Sequence, residues 1–163
     1  MAQFAVSSSA FADGGDIPDL YTCRGRNISP PLSFEAPPAE TRAYALIMED
    51  LDTPFGVLTH WVVYNITSDV HALTEAVPPG KLLANNARQG RNSMFRLGYM
   101  GPCPPWGRHR YTFRAFALDR TVESDAVLNK KKLLRLIQPH ILAEATLLGY
   151  YSRNRGQGDH IPR

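Results

Sequence analysis

The chain has 163 residues, a formal net charge of +3 and a hydrophobic share of 44%, which fits one ordinary globular domain spanning residues 1–163. This composition excludes a disordered, collagen-like or coiled-coil protein, and no apolar run approaches the roughly 18 residues that a membrane-spanning helix needs. With 12 Gly and 13 Pro, the chain favours short strands joined by turns over a helical bundle.

Turn residues interrupt the first forty positions, and three short strands are predicted beyond them, over 43–49, 60–66 and 111–118. The first is nearly all apolar, as in a strand buried on both faces. In the second, a period of two residues places His60 on one face. The residues that share this predicted face with His60 are Val62, Tyr64 and Ile66.

A helix is predicted near the C-terminus, from Lys130 to Thr146, because apolar residues recur there every three or four positions. Pro139 should bend this helix or divide it, and Gly149 is suited to end it. The side chains expected to pack on the sheet are Leu133, Leu134 and Ile137. Several strands and one late helix make the predicted fold mostly β.

Charge is distributed unevenly along the chain. Residues 1–75 hold three basic and ten acidic residues, whereas residues 76–118 hold seven basic residues and no acidic one. The basic segment can attract a small anion or a phosphorylated partner, or the two segments can pack together and neutralise each other. No nucleic-acid-binding signature accompanies the basic residues, so nucleic acid is not an expected partner.

The N-terminus and the cysteines bear on the compartment. The first residues lack the basic start and the apolar stretch of a signal peptide, and we expect a cytoplasmic protein. Cys23 and Cys103 are the two cysteines of the chain, too few for a disulfide framework or a zinc knuckle. We expect two free thiols, with a single disulfide as the alternative.

Two polar clusters are candidates for chemistry. Asp50 and Asp52 lie two positions apart at a strand end, where aspartate also commonly binds backbone amides in turns. His109 and Tyr111 are also two apart, so both side chains project from one face of a strand. Segment 101–107 holds three prolines, which would fix its backbone amides towards a ligand. A protonated imidazole, a phenol and an amide suit a phosphate-sized anion.

Four motifs in order resemble the phosphatidylethanolamine-binding protein family, which includes the Raf kinase inhibitor proteins, in its compact bacterial and archaeal form. They span residues 27–34, 50–54, 60–66 and 101–111. The resemblance implies an antiparallel β-sandwich with a short kinked C-terminal helical segment. It also implies a small pocket for phosphate, acetate or a phosphoethanolamine head group. Carried onto this chain, the ligand-binding residues are Asp50, Pro54, His60, Cys103, Pro104, His109 and Tyr111.

Two geometric expectations follow from the same resemblance. The bond between Thr53 and Pro54 should be cis. The motifs that carry Cys23 and Cys103 should both border the pocket, so the two sulfur atoms should be neighbours. In a cytoplasmic setting they would be reduced thiols, able to form a disulfide after oxidation.

The function that the resemblance implies is that of a non-enzymatic binding or regulatory protein without cofactor or metal, whose small anion pocket takes phosphate, a phosphoethanolamine-type head group or a phosphorylated partner. Regulation of a protein kinase is one form of this function. Inhibition of a serine protease is an alternative. An enzyme would use Asp50, Asp52, His60 and His109 as a metal site, or Cys103 and His109 as nucleophile and base. No third orienting group accompanies either set. A structural interaction domain is the remaining class.

Overall fold

The computed structural model describes residues 2–153. In chain order the strands are β1 (Ala5–Ser7), β2 (Gly15–Asp16), β3 (Leu32–Glu35), β4 (Ala43–Thr53), β5 (Gly56–Thr67), β6 (Ala72–Leu73), β7 (Arg88–Gln89), β8 (Arg108–Leu118) and β9 (Ile141–Ser152). One α-helix, α1 (Lys130–Ile137), lies between β8 and β9. The three strands predicted from the sequence correspond to β4, β5 and β8, three of the four long strands.

Two sheets pack face to face. The larger has the order β2-β9-β8-β4-β5-β7 and the smaller has the order β1-β3-β6. The strand pairs are antiparallel except for β2 with β9, which is parallel. Phe34 of the smaller sheet and Trp61 and Phe113 of the larger belong to one buried apolar cluster between the sheets. The predicted mostly-β sandwich is therefore confirmed.

Helix α1 covers the opposite face of the larger sheet. Leu133 and Ile137 are buried there, and Leu134 packs against the same cluster, as predicted from their spacing. The Asn129 side chain caps the helix by accepting a hydrogen bond from the Lys132 backbone N–H at 2.9 Å, which pairs an amide that the first turn leaves free. No helix within residues 2–153 combines the length and the apolar character needed to cross a membrane.

The helix ends at Ile137, so its predicted continuation to Thr146 is wrong. Pro139 lies in a single 3-10 turn, because proline lacks the N–H that would extend the α-helix. The chain then enters β9, which pairs with β8 along its length. Gly149 does not end a helix: it lies in β9, where a Cβ atom would be 2.6 Å from Cγ1 of Ile17.

The basic segment pairs with the acidic first part of the chain. The ion pairs are Arg108 with Asp16 at 3.1 Å, Arg110 with Asp52 at 2.7 Å and Arg114 with Glu49 at 3.0 Å. Of these carboxylates Glu49 is buried, and it also accepts a hydrogen bond from Lys130 Nζ at 2.6 Å. A buried carboxylate needs such partners because desolvation of an unpaired charge is costly. The predicted neutralisation between the two segments thus occurs at three positions.

A bulge at Asn65 interrupts the alternation of β5. Opposite it, Tyr44 pairs with Ile66 and Leu46 pairs with Val63, so β5 has one extra residue, and Asn65 has a positive φ of 59°. An extra residue reverses which side chains point to each face. Ile66 therefore lies in the cluster between the sheets, whereas Tyr64 packs under α1. The prediction that Tyr64 and Ile66 lie on the same face is therefore wrong.

Replacing Asn65 with alanine should lower the free energy of unfolding by about 1–3 kcal/mol. Asparagine tolerates the left-handed conformation better than alanine does. Its side chain also accepts from the Val122 N–H at 2.7 Å and donates to the Val122 carbonyl at 2.9 Å. Asn65→Gly keeps the conformation and loses both hydrogen bonds, so urea denaturation of the two variants separates the contributions. An alanine variant as stable as wild type would contradict this prediction.

Candidate functional site

Four of the sequence-predicted site residues meet at one end of the larger sheet. Strand β4 contributes Asp50, β5 contributes His60, and β8 contributes His109 and Tyr111, which lies opposite Asp50 across the strand pair. The Tyr111 ring centroid is 5.4 Å from that of His60 and 6.4 Å from that of His109. All four side chains belong to buried residues. This polar cluster (Asp50, His60, His109 and Tyr111) is the candidate site.

A second bulge in β5 directs His60 into the polar cluster. Met48 pairs with Trp61 and the next residue, Glu49, pairs with Thr59, which leaves His60 without an opposite residue. Bulges of this kind re-aim a side chain and often lie beside functional sites. The ring of His60 consequently packs edge-on against Tyr111. The expectation that His60 shares a face with Val62 is therefore also wrong.

The hydrogen bonds of His60 define its neutral tautomer. Its Nδ1 lies 2.6 Å from the Met100 carbonyl oxygen, and a carbonyl only accepts, so Nδ1 carries the proton. Its Nε2 is buried and has no hydrogen-bond partner within residues 2–153. Burial lowers the pKa of His60, against the opposing effects of Met100 and Asp50. In the neutral ring, Nε2 is thus an unpaired acceptor.

Asp50 is held between two donors. Its Oδ2 accepts from His109 Nδ1 at 2.8 Å, and its Oδ1 accepts from the Asp52 backbone N–H at 2.9 Å. The side chains of Asp50 and His109 are 4% and 9% exposed, so this pair lies out of solvent. A carboxylate that accepts a hydrogen bond from Nδ1 fixes the orientation of the imidazole ring.

Tyr111 supplies a fully buried hydroxyl group. Within residues 2–153 this hydroxyl makes no hydrogen bond of good geometry, although the Asp50 carboxylate and the Cys103 backbone lie near it. Burial raises its pKa strongly, the charge of Asp50 and a hydrogen-bonding interaction with that carboxylate raise it further, and an interaction with the Cys103 backbone acts in the opposite direction. The phenol therefore keeps its proton and remains a donor.

Asp52 does not join the polar cluster, although the sequence places it two residues from Asp50. Arg110 binds it through the backbone N–H at 2.8 Å and through two guanidinium nitrogens at 3.0 and 2.7 Å. These hydrogen bonds lower the pKa of Asp52 to about 2, with burial acting in the opposite direction. Its role is to tie β4 to β8 at the edge of the site.

Cys23 and Cys103 form a disulfide, with Cα atoms 5.4 Å apart. The prediction that they are neighbours is confirmed, and the prediction of two free thiols is wrong. The two loops are also paired through backbone, because the Cys23 N–H donates to the Pro102 carbonyl at 3.1 Å. That contact holds the two Cα atoms within the distance a disulfide requires. Pro104, the neighbouring predicted site residue, is buried, whereas both cysteines are exposed.

Two contributors to the site were missed by sequence reasoning. Met100 acts through its carbonyl oxygen, which no side-chain pattern signals. Asn27 positions the same loop by accepting from the Gly101 N–H at 2.9 Å. A Cβ atom at Gly101 would lie 2.3 Å both from Asn27 Oδ1 and from the Tyr21 carbonyl oxygen. The glycine in the sequence was the available signal for this close approach.

Pro54 lies at the exposed tip of the hairpin between β4 and β5. The predicted cis bond before it is wrong, because no peptide bond among residues 2–153 is cis. The chain reverses instead with Gly56 at a φ of 104°, a conformation that glycine adopts without strain. Thr53 pairs with Gly56 across this turn.

The structure bears on both arrangements considered for an enzyme, the Cys103 nucleophile and the Asp/His metal site. Cys103 is oxidised in the disulfide, so it has no thiolate to act as a nucleophile in this state. Within residues 2–153, no group of three or more His, Cys, Asp or Glu side chains is arranged to hold a metal ion. In particular, the Asp52 carboxylate is occupied by Arg110.

Comparison with known proteins gives the same fold and the same family. The family model for the phosphatidylethanolamine-binding protein matches residues 7–152. A UPF0098 protein of Methanothermobacter thermautotrophicus is 46% identical over 148 residues, which cover 91% of this chain and 98% of that protein.

Two solved structures have the same fold as this chain. A phosphatidylethanolamine-binding protein homologue from Chlamydia trachomatis superimposes with a TM-score of 0.87 at 39% identity, covering 94% of this chain and 99% of that one. Escherichia coli YbcL, described as a member of the mammalian family, gives a TM-score of 0.84 at 28% identity, covering 93% and 99%. The chain belongs to the phosphatidylethanolamine-binding protein family.

Proposed function

We propose that the chain is a non-enzymatic binding protein whose polar cluster holds a small oxyanion, free or as part of a larger partner. The observation that carries this proposal is that two buried polar atoms of one cluster, the Tyr111 hydroxyl and His60 Nε2, make no hydrogen bond of good geometry within residues 2–153. A buried polar group left unpaired costs about 1–3 kcal/mol. A ligand that pairs with both atoms would recover that free energy.

The other half of the polar cluster supplies positive charge. When His109 donates its Nδ1 proton to Asp50, an imidazolium still has an Nε2 proton to donate to a ligand. The Asp50 charge alone would repel an anion. It is offset because Asp50 already accepts from His109 and from the Asp52 backbone N–H. Asp50 is thus proposed to position and charge His109 rather than to contact the ligand.

The partner class that suits this chemistry is a phosphorylated ligand. Such a ligand can be a phosphoethanolamine-type head group or a phosphorylated segment of a protein kinase, so kinase regulation is one form of the proposal. Inhibition of a serine protease is the alternative form, and an inhibition assay with a purified serine protease tests it directly.

His109→Ala should weaken binding of sulfate by about ten- to a hundredfold, because a charge-assisted hydrogen bond is lost. Tyr111→Phe should weaken it by about two- to tenfold, because only a neutral donor is removed. Isothermal titration calorimetry of wild type and both variants measures these changes. His140→Ala is the matched control: it also removes a histidine paired with an aspartate, Asp119 at 3.0 Å, but at the surface.

The control variant should bind sulfate as wild type does. If His109→Ala and wild type bind equally, the polar cluster has no role in anion binding and a structural interaction domain becomes the better description. If wild type shows no binding of sulfate or phosphate at all, the proposal is wrong outright.

Sulfate affinity should rise as the pH falls. Burial lowers the pKa of His60, so the free site holds a neutral ring above that pKa, and a bound anion favours the protonated ring. Binding then takes up one proton, and affinity increases by up to about tenfold per pH unit on acidification until it levels off below the pKa of the free protein. Titrations at two pH values measure this; an unchanged affinity would contradict it.

The proposed absence of enzymatic activity is tested separately. Metal analysis of the purified protein and a panel of hydrolase substrates address the metal-site and nucleophile alternatives. Turnover that disappears in His109→Ala, with the fold intact by circular dichroism, would replace the binding proposal with an enzymatic one.

A further inference from the structure

The polar cluster contains a buried hydrogen-bond acceptor, Nε2 of neutral His60, that can tell protonated oxyanions from deprotonated ones. In the neutral state of His60, Nδ1 donates to the Met100 carbonyl at 2.6 Å, and Nε2 has a lone pair with no partner. A fully deprotonated oxyanion has only lone pairs to place against Nε2, so that contact is repulsive. An oxyanion with one O–H group can donate to it.

The neighbours of His60 act on its protonation in both directions: burial and His109 favour the neutral ring, whereas the Met100 and Gly101 backbone and Asp50 favour the protonated one. Asp50 from β4 and His109 from β8 act on the ring with opposite sign. Tyr111, also from β8, faces it as a neutral phenol. Backbone at Met100 and Gly101 faces it from the preceding loop. Burial is the largest influence and lowers the pKa of His60, which leaves Nε2 an acceptor near neutral pH.

We propose that the site selects monoprotonated oxyanions, so that phosphomonoesters and inorganic phosphate bind, whereas sulfate and phosphodiesters are disfavoured. This specificity rests on the proposed function. The ligand O–H donates to His60 Nε2, while Tyr111 and His109 donate to the remaining ligand oxygens. A phosphomonoester loses its second proton at a pKa of about 6, so about one tenth of it still carries that proton at pH 7 and a larger share does at lower pH. Sulfate and diesters carry no such proton in this range.

Phosphate groups in phospholipids differ from those in phosphorylated proteins and free head groups in their ability to carry this proton. The head group of an intact phospholipid is a diester with no ionisable second proton. A phosphorylated side chain and a free head group such as phosphoethanolamine are monoesters. A site that requires the ligand proton therefore favours phosphomonoesters over the surface of a phospholipid bilayer.

The test compares matched probes on the wild-type chain by isothermal titration calorimetry at about pH 6.5, near the histidine range. Inorganic phosphate and sulfate have the same shape and form the first pair. Phosphoethanolamine and glycerophosphoethanolamine, monoester and diester, form the second. We expect phosphate to bind at least about tenfold more tightly than sulfate, the effect of one hydrogen bond in a buried site. The monoester should also bind more tightly than the diester, by a smaller factor, because only about a quarter of the monoester carries the proton at pH 6.5.

His60→Gln supplies the variant arm, because a Gln amide can turn its NH₂ group towards a deprotonated oxyanion. In this variant the preference for phosphate over sulfate should shrink to within about threefold, less than one neutral hydrogen bond. Thermal melting of the variant reports whether it is folded, and the wild-type comparison stands without it.

The outcomes separate the two proposals. If phosphate and sulfate both bind wild type with equal affinity, the selection rule is wrong and the anion site stands. If the diester binds as tightly as the monoester, the rule is equally wrong. If neither phosphate nor sulfate binds, the proposed function itself fails. Strong preference for phosphate that vanishes in His60→Gln supports the inference.

Discussion

Conversion of Cys23 and Cys103 together to serine is expected to lower the free energy of unfolding by about 2–4 kcal/mol. The bond joins positions 80 residues apart, so its removal frees a long loop in the unfolded chain. Guanidinium denaturation of the double variant and of the oxidised wild type measures the loss.

The reduced wild type provides the control for this experiment. These two cysteines are the only ones in the chain, so a dithiol reductant acts at one bond and should bring wild type to the stability of the double variant. A double variant as stable as the oxidised protein would show that the backbone hydrogen bond from Cys23 to Pro102 suffices to hold the two loops together.

Gly101→Ala should lower the free energy of unfolding by about 2–4 kcal/mol, through overpacking and a lost buried hydrogen bond. The new methyl group would lie 2.3 Å from the Tyr21 carbonyl oxygen and from Asn27 Oδ1, the atom that accepts the Gly101 N–H. The loop would have to move, and it carries the Met100 carbonyl that orients His60. Anion affinity should therefore fall in the same variant, as measured by calorimetry.

Gly107→Ala is the matched control, because Gly107 lies in the same loop with open space around its Cα but has a φ of 80°. That variant tests the cost of the left-handed conformation alone, about 1 kcal/mol. Gly101→Ala should be the more damaging of the two for stability and for anion binding. Equal losses would mean that the close approach at Gly101 does not hold the loop in place.

The strands that carry the polar cluster were predictable because their apolar patterns are unambiguous. His109 and Tyr111, two positions apart on β8, lie on one face as the alternation predicts, with ring centroids 6.4 Å apart. Asp50 and His109 were predicted in one site, but the hydrogen bond between them was not specified. It depends on the β4–β8 register, which places Asp50 opposite Tyr111 and which a sequence pattern does not specify.

The errors have identifiable physical causes. The apolar residues of 141–148 fit a helix by spacing, but the same segment also alternates, and pairing with β8 decides in favour of the strand. The bulges at His60 and Asn65 leave no mark in a periodicity argument, since each adds one residue without changing composition. The contact of the Met100 carbonyl oxygen with His60 could not be predicted from side-chain patterns, because it is made by the backbone.

Glu49 and Asp50 are adjacent on β4, and their side chains point to opposite faces of the larger sheet. Glu49 faces α1, where Lys130 and Arg114 bind it, whereas Asp50 faces the polar cluster, where His109 binds it. Moving a strand by one residue exchanges its two faces. A single-residue insertion or deletion within β4 ahead of Glu49 would therefore place the longer acid beside His109 and the shorter one beneath the helix. Natural length variation in this family should thus be confined to the hairpin tip and the loops, and engineered insertions belong there as well.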